Sequence, residues 1–316
     1  MKAMKIIQAP RASAILYNLL TSQKQTYPWL LPANICPIVP ATFMKASVPF
    51  ELVDISGKSL HMDLDQAEAR VKKRRYGGLL YAHTYGDEST PEDFFALVKS
   101  LHPDILLVDD RCLCIPKFEA ESSADIVVFS TGYAKIVQLD FGGYSLANEG
   151  VEYQSRQMPF NPDSLAELEK MYKSAVQNKT KFQNLDTDWL QTDGFLPVWD
   201  EYRRQIESGI ESSLAQRSRL NSIYKSYLPE EIQLPPEYQN WRFNIRVNNQ
   251  ADVLKMIFQQ GLFASSHYAS LAGIISNDSA PQAERLASEV INLFNDHYFD
   301  EDRAIKISRV IVDNLS

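Results

Sequence analysis

Between residues 35 and 148 the chain alternates short apolar runs with amphipathic or polar stretches. The runs at 35–39, 50–53, 78–82, 105–108 and 126–129 are rich in Val, Ile, Leu and aromatic residues and are bounded by Pro, Asp or Gly. That is the pattern of short buried strands. Between them, 64–73 (LDQAEARVKK) and 91–101 (PEDFFALVKSL) carry apolar residues at three- and four-residue spacing, which predicts helices. Thr90 stands where it would cap the second helix, with Pro91 at the first helical position. Strands alternating with helices predict an α/β fold with a mostly parallel sheet covered on both faces, and ligands gather beyond the carboxyl ends of such strands.

The second half reads differently. Helical patterns cover 164–177 and a long stretch from 199 to 227, the latter interrupted by Gly209. Pro229 and the pair Pro235-Pro236 punctuate the chain. After them, 241–247 (WRFNIRV) alternates like a strand, 251–260 is helical up to Gly261, and 283–293 and 302–315 read as terminal helices. We therefore expect a large domain over 1–228 that includes the long helix, and a small α+β domain over 229–316.

Composition narrows the partners. The chain has 40 acidic against 32 basic residues, a net charge of −8 and a pI near 5.3. It carries no electrostatic footprint for nucleic acid. No run approaches the roughly 18 apolar residues of a membrane span, and Pro10 and Arg11 interrupt the start before signal-peptide length. Three cysteines, Cys36, Cys112 and Cys114, are an odd number that fits a reducing compartment, so a cytoplasmic protein is expected. Cys112 and Cys114 lack the further Cys or His ligands of a zinc site, and no metal is expected.

Two strand ends could carry chemistry. The run 104–110 (DILLVDD) puts Asp109 and Asp110 where a parallel strand leaves the sheet, and 125–130 (DIVVFS) ends in Ser130, followed by Lys135 and then Gly142-Gly143. A lysine beside a strand end, with a carboxylate at the neighbouring end, is what an imine-forming cofactor enzyme needs. The lysine supplies the Schiff-base nitrogen, and the carboxylate holds the pyridinium proton that makes the ring an electron sink. The plain alternative is a pair of solvated acids and a surface lysine held by Asp140.

The order of segments resembles the DegT/DnrJ/StrS sugar aminotransferases, fold type I enzymes that use pyridoxal 5'-phosphate. Residues 38–43 (IVPATF) resemble the family's Pro-x-x-Thr-Phe stretch, 49–54 (PFELVD) its Pro-x-x-x-Asp strand, and His83-Thr84-Tyr85-Gly86 its His-x-Tyr-Gly motif. Asp109-Asp110 resembles its Glu-Asp pair, and the spacing from Phe129-Ser130 through Lys135 to Gly142-Gly143 is the family's. Gly261 with His267-Tyr268, and the tail from Ala283 onward, look like its C-terminal domain. The likeness runs over roughly residues 9–315.

The resemblance implies a role for each matched residue. Lys135 is the Schiff-base lysine and general acid/base, Asp110 the partner of the pyridine nitrogen, and Phe43 the aromatic on the cofactor ring. Ser130 bonds the phosphate, as do Ala12, Ser13 and Ala14, which match the family's Gly-Thr-Ala turn into a helix expected over 15–20; Ser13 as a plain N-cap is the alternative. His83 and Tyr85 support the site, and His267 and Tyr268 face substrate or the partner subunit. The family also differs: it has Gln at Leu113, Gly-Glu at Asp140-Phe141, and an arm and first helix ahead of the phosphate turn that are expected to be missing here. The function implied is transfer of an amino group from a small-molecule donor to a keto substrate such as a nucleotide-linked ketosugar, by a homodimer. A second reading keeps the fold but makes the chain a non-catalytic binding or regulatory protein.

Overall fold

The computed structural model describes residues 4–24, 27–119, 121–183 and 186–315. The first half holds β1 (Met4–Ala9), α1 (Ala12–Ser22), β2 (Trp29–Pro32), α2 (Ile38–Lys45), β3 (Phe50–Val53), α3 (Leu64–Lys73), β4 (Gly78–Ala82), α4 (Glu92–Leu101), β5 (Leu106–Asp110), β6 (Ile126–Ser130) and β7 (Gly143–Asn148). Their sheet has the order β1-β7-β6-β5-β4-β2-β3. The five strands from β6 to β3 run parallel, whereas β7 is antiparallel to both of its neighbours. The chain is thus α/β with a mostly parallel central sheet. Apolar clusters cover its two faces: Leu107 of β5 belongs to one, and the adjacent Val108 to the other. That alternation is the pleat of a strand buried on both sides.

Three details correct the sequence pattern. The strand expected at 35–39 lies earlier, at Trp29–Pro32, and residues from Ile38 onward form α2. Pro40 sits in the first turn of that helix, where its missing N–H costs nothing. Thr90 does not cap α4, because Pro91 occupies the N-cap and the Thr90 hydroxyl takes a hydrogen bond from Arg111. At the far end, the helix expected at 283–293 stops at Glu289 and the chain continues as a strand.

The second half holds α5 (Pro162–Asn178), α6 (Trp199–Tyr227), β8 (Phe243–Arg246), α7 (Gln250–Gln259), β9 (Ala264–Ser265), α8 (Pro281–Glu289), β10 (Val290–Leu293) and α9 (Glu301–Val312). The strands form an antiparallel sheet, β8-β10-β9. Its core includes Phe243, Ile245, Ile291, Leu293 and Ile307, and draws Leu220, Tyr224 and Leu228 from the end of α6. We retain a division at 228/229 as a proposal, with α6 serving both sides of it.

The Asp54 carboxylate ties the halves together. It accepts hydrogen bonds from the Ile55 amide at 2.8 Å, the Gln282 amide at 3.0 Å and the Ala283 amide at 2.9 Å, so it caps α8 from the end of β3. Nearby, Leu52 N donates to Asp278 at 2.9 Å and Leu271 N to the Ala33 carbonyl at 3.0 Å. These bonds fasten the 266–280 stretch over the carboxyl ends of β2 and β3. No described helix is long and apolar enough to cross a membrane.

Candidate active site

β5 ends at Asp110 and β6 at Ser130, and Lys135 lies in the loop that follows. Asp110 accepts the Cys112 amide at 3.0 Å, a turn that fixes its carboxylate at the strand end. Asp110 and Lys135 bound one small cavity of about 40 Å³ together with Asn34, Cys36, Cys112 and Tyr268. Lys135 and Tyr268 also line a larger chamber of about 480 Å³, walled by Leu113, Tyr133, Trp241, His267 and the inner face of α5. Its size falls within the range of small-ligand sites.

The Lys135 loop is held from several sides. Trp241 Nε1 donates to the Ala134 carbonyl at 2.7 Å, Arg217 to the Lys135 carbonyl at 3.2 Å, and the Ser213 hydroxyl to the Ile136 carbonyl at 2.5 Å. Gly209 of α6 makes this approach possible, since a Cβ there would lie 2.7 Å from Val137 Cγ1. Lys135 itself forms no ion pair with a described residue, and Asp140 instead accepts from Gln138 at 2.7 Å. The glycine pair is steric as well: a Cβ on Gly143 would lie 2.6 Å from the amide nitrogen of Ala12, and Gly142 has φ +89° against the Tyr202 hydroxyl.

Ala12, Ser13 and Ala14 form the first turn of α1, whose N-cap is Arg11 rather than Ser13 and which no side chain caps. Helix dipole and amides there favour an anion. The Arg11 guanidinium crosses the neighbourhood, donating to the Asp140 carbonyl at 3.0 Å and to Gln191 at 3.1 Å. A Cβ built on Gly132 would lie 3.6 Å from both Arg11 Nη1 and Ser130 Oγ, so the three elements meet.

Phe43 is not in the slot. It is fully buried in α2, edge-on to Trp29 and Phe50 with centroids 5.3 and 5.7 Å away. The shift of β2 explains this, because it brings Cys36 rather than Phe43 to the cavity wall. Sequence reasoning missed Cys36; the signal was Pro32, four residues upstream at the end of WLLP. Burial pushes the Cys36 thiol up, with Lys135 opposing, and burial with the Asp110 charge pushes Cys112 further. Both remain neutral thiols in the lining of the slot.

The remaining residues divide by face. Asp109 turns away from Asp110 and meets His83 Nε2 at 2.6 Å and Arg111 Nε at 3.0 Å. Burial alone would raise its carboxyl, but His83 and Arg111 outweigh that and hold it below the ordinary range. Tyr85 donates to the His267 carbonyl at 2.7 Å and stacks on Trp241, and Tyr268 stacks on the same indole. The His267 ring is driven down to about 4 by burial, then by Arg242 and Lys135, so it is neutral near pH 7.

No known family model matches this sequence, and no curated protein matches it. Solved structures do. DesI with its TDP-sugar product shares 15% identity at a TM-score of 0.72, over 97% of this chain and 79% of that one. The sugar aminotransferase Spr1654 of Streptococcus pneumoniae in its PLP form shares 15% at 0.70, over 99% and 88%. A DegT DnrJ EryC1 StrS aminotransferase from Brucella abortus shares 15% at 0.66, over 98% and 85%. The fold is therefore that of the DegT/DnrJ/EryC1/StrS aminotransferases across nearly the whole chain.

Proposed function

We propose that this chain is a pyridoxal 5'-phosphate-dependent aminotransferase acting on a keto substrate, a nucleotide-linked ketosugar by analogy with DesI. It works as a cytoplasmic homodimer. The observation that carries this is the convergence on one slot of Lys135, which forms no ion pair with a described residue, and the Asp110 carboxylate at the neighbouring strand end. In this reading Lys135 would serve the aldehyde carbon, Asp110 the ring nitrogen, and Ser130 with the Ala12–Ala14 turn the phosphate. When bound, the cofactor supplies an electron sink for the carbon that gains or loses the amine.

The chain's own residues do the rest. Asp110 keeps a proton on the ring nitrogen through a charge-assisted contact. Lys135 Nζ, its backbone held by Arg217 and Trp241, carries the proton between the reacting carbons. Neutral His267 and the Tyr133 hydroxyl offer hydrogen bonds to a sugar in the chamber, while Leu113 and Tyr172 exclude water. Adding the cofactor should produce visible absorbance, and borohydride should fix it on Lys135. Lys135→Ala that keeps both signals, or wild-type protein that takes up no cofactor, defeats the reading.

One observation favours the non-catalytic alternative. The slot between Lys135 and Asp110 measures only about 40 Å³, with Tyr268 among the residues that bound it, so it is too small for a cofactor ring as it stands.

A further inference from the structure

Three successive carbonyls of the lysine loop are held from outside the central sheet. Ala134 O accepts from Trp241 Nε1 at 2.7 Å, Lys135 O from Arg217 Nη2 at 3.2 Å and Ile136 O from Ser213 Oγ at 2.5 Å. Gln138 adds a fourth tie: its Nε2 donates to the Tyr298 hydroxyl at 2.8 Å while its Oε1 accepts the Ala134 amide at 3.0 Å. Ser213 and Arg217 stand on α6, and Trp241 and Tyr298 lie in the 229–316 part of the chain. Ala134 sits at φ +56°, a left-handed conformation that a residue with a side chain keeps only where its surroundings impose it.

Arg217 joins these ties. It is 3% exposed, and besides Lys135 O its fork donates to Ser213 Oγ at 3.2 Å, to Asn295 Oδ1 at 2.6 Å and to the Trp241 carbonyl. One guanidinium thus binds the lysine loop, the residue ahead of β8 and the residue two past β10. Burial lowers it to about 10, so it is still a cation near pH 7. Burying a cation is costly, and here its hydrogen bonds go to a hydroxyl and three neutral amide oxygens. What such a rigid planar fork supplies, and a flexible side chain does not, is a fixed relative placement of its acceptors.

We propose that Arg217 is a positioning residue for Lys135: through its fork the small domain sets how far the lysine reaches toward the slot. Asp110 rides on β5 of the central sheet, so the separation of the two groups follows the docking of the small domain. The task of Lys135 rests on the aminotransfer reading, whereas the tie between its loop and the small domain rests on the geometry alone.

The test separates cofactor binding from capture by the lysine, using the full chain. Pyridoxine 5'-phosphate lacks the aldehyde and reports the site without the lysine. Pyridoxal 5'-phosphate followed by borohydride reports the bond to Lys135 Nζ. Arg217→Met should slow labelling of Lys135 tenfold or more and leave the affinity for the aldehyde-free analogue within twofold. Arg217→Lys should recover part of the rate. Tyr298→Phe, which removes one exposed hydroxyl, should slow labelling two- to fivefold at an unchanged melting temperature. Labelling of Arg217→Met at the wild-type rate, or a proportional loss of labelling and analogue binding, would overturn the proposal. If Arg217→Met does not fold, Arg217→Lys and Tyr298→Phe decide on the same readouts. A wild type that takes up neither compound would sink the aminotransfer reading. Acetic anhydride labelling of Lys135 relative to Lys72 of α3 then decides: a threefold change in the variants supports the tie, and an unchanged ratio overturns it. Wild type and variants captured equally on Lys135 would overturn the proposal and leave the aminotransfer reading standing.

Discussion

His83 Nε2 lies 2.6 Å from Asp109 Oδ1, and both side chains are wholly buried. Adjacent positions of one strand thereby receive opposite tasks: Asp109 closes a network with His83 and Arg111, and Asp110 faces the slot. Asp109→Asn should therefore lower stability by about 3–5 kcal/mol, since it leaves a buried cation unpaired. Asp110→Asn should leave the melting temperature nearly unchanged and cut turnover a hundredfold or more. Equal losses of turnover from both at a temperature where both remain folded would refute the assignment.

Acid should destabilise the protein in two stages. His61 is buried beside Tyr81, His83, Asp87 and Tyr238, and neither ring nitrogen has a hydrogen-bond partner among the described residues. Burial, then His83, lowers it from 6.5 to about 4. The unfolded chain takes up that proton first, so stability is full above 6.5 and is lost as pH falls toward 4, by on the order of 3 kcal/mol. His267 titrates in the same direction. Asp109, whose folded carboxyl is held low, contributes stability above the ordinary carboxylate range and loses it only below about pH 4. Urea midpoints against pH should show both limbs, and His61→Leu should flatten part of the upper limb while leaving the lower one intact.

Gly209→Ala inverts the usual helix rule. In an exposed helix interior the change should stabilise by up to about 1 kcal/mol. Here the new methyl meets Val137, so we expect a loss of about 1–3 kcal/mol and a displaced Lys135 loop, both relieved by Val137→Ala. A stabilised Gly209→Ala with unaltered cofactor uptake would show that the contact yields freely.

The proposed homodimer has a surface to account for. Phe195 and Val198 are 87% and 73% exposed just ahead of α6. Burying them against a second copy removes a clear solvation cost. Sedimentation should give a dimer at micromolar concentration and Phe195→Asp should shift it toward monomer; a wild-type monomer would remove this part of the proposal.

Much of the architecture was legible in the one-dimensional pattern. The runs at 50–53 and 78–82 were marked by continuous apolar stretches and the helices at 64–73 and 199–227 by helical spacing of apolar residues, and their boundaries hold in the structure. Asp110, Ser130 and Lys135 could be grouped because parallel strands align their carboxyl ends. The misreadings share a physical cause. Ile35-Cys36-Pro37-Ile38-Val39 is as apolar as a strand, but the place between β3 and β4 was already filled by Trp29–Pro32, and the burial of Phe43 between Trp29 and Phe50 settled the helix. Val290–Leu293 followed helical sequence without a break and became a strand because β8 and β9 offered it hydrogen bonds on both sides. β1 and β7 were likewise missed: their pairing spans more than a hundred residues and leaves no local mark. Sequence thus determined the local periods and which side chains stand at the strand ends. Only tertiary packing could bring Cys36 and Tyr268 to the slot, because each depends on which distant surface covers which side chain.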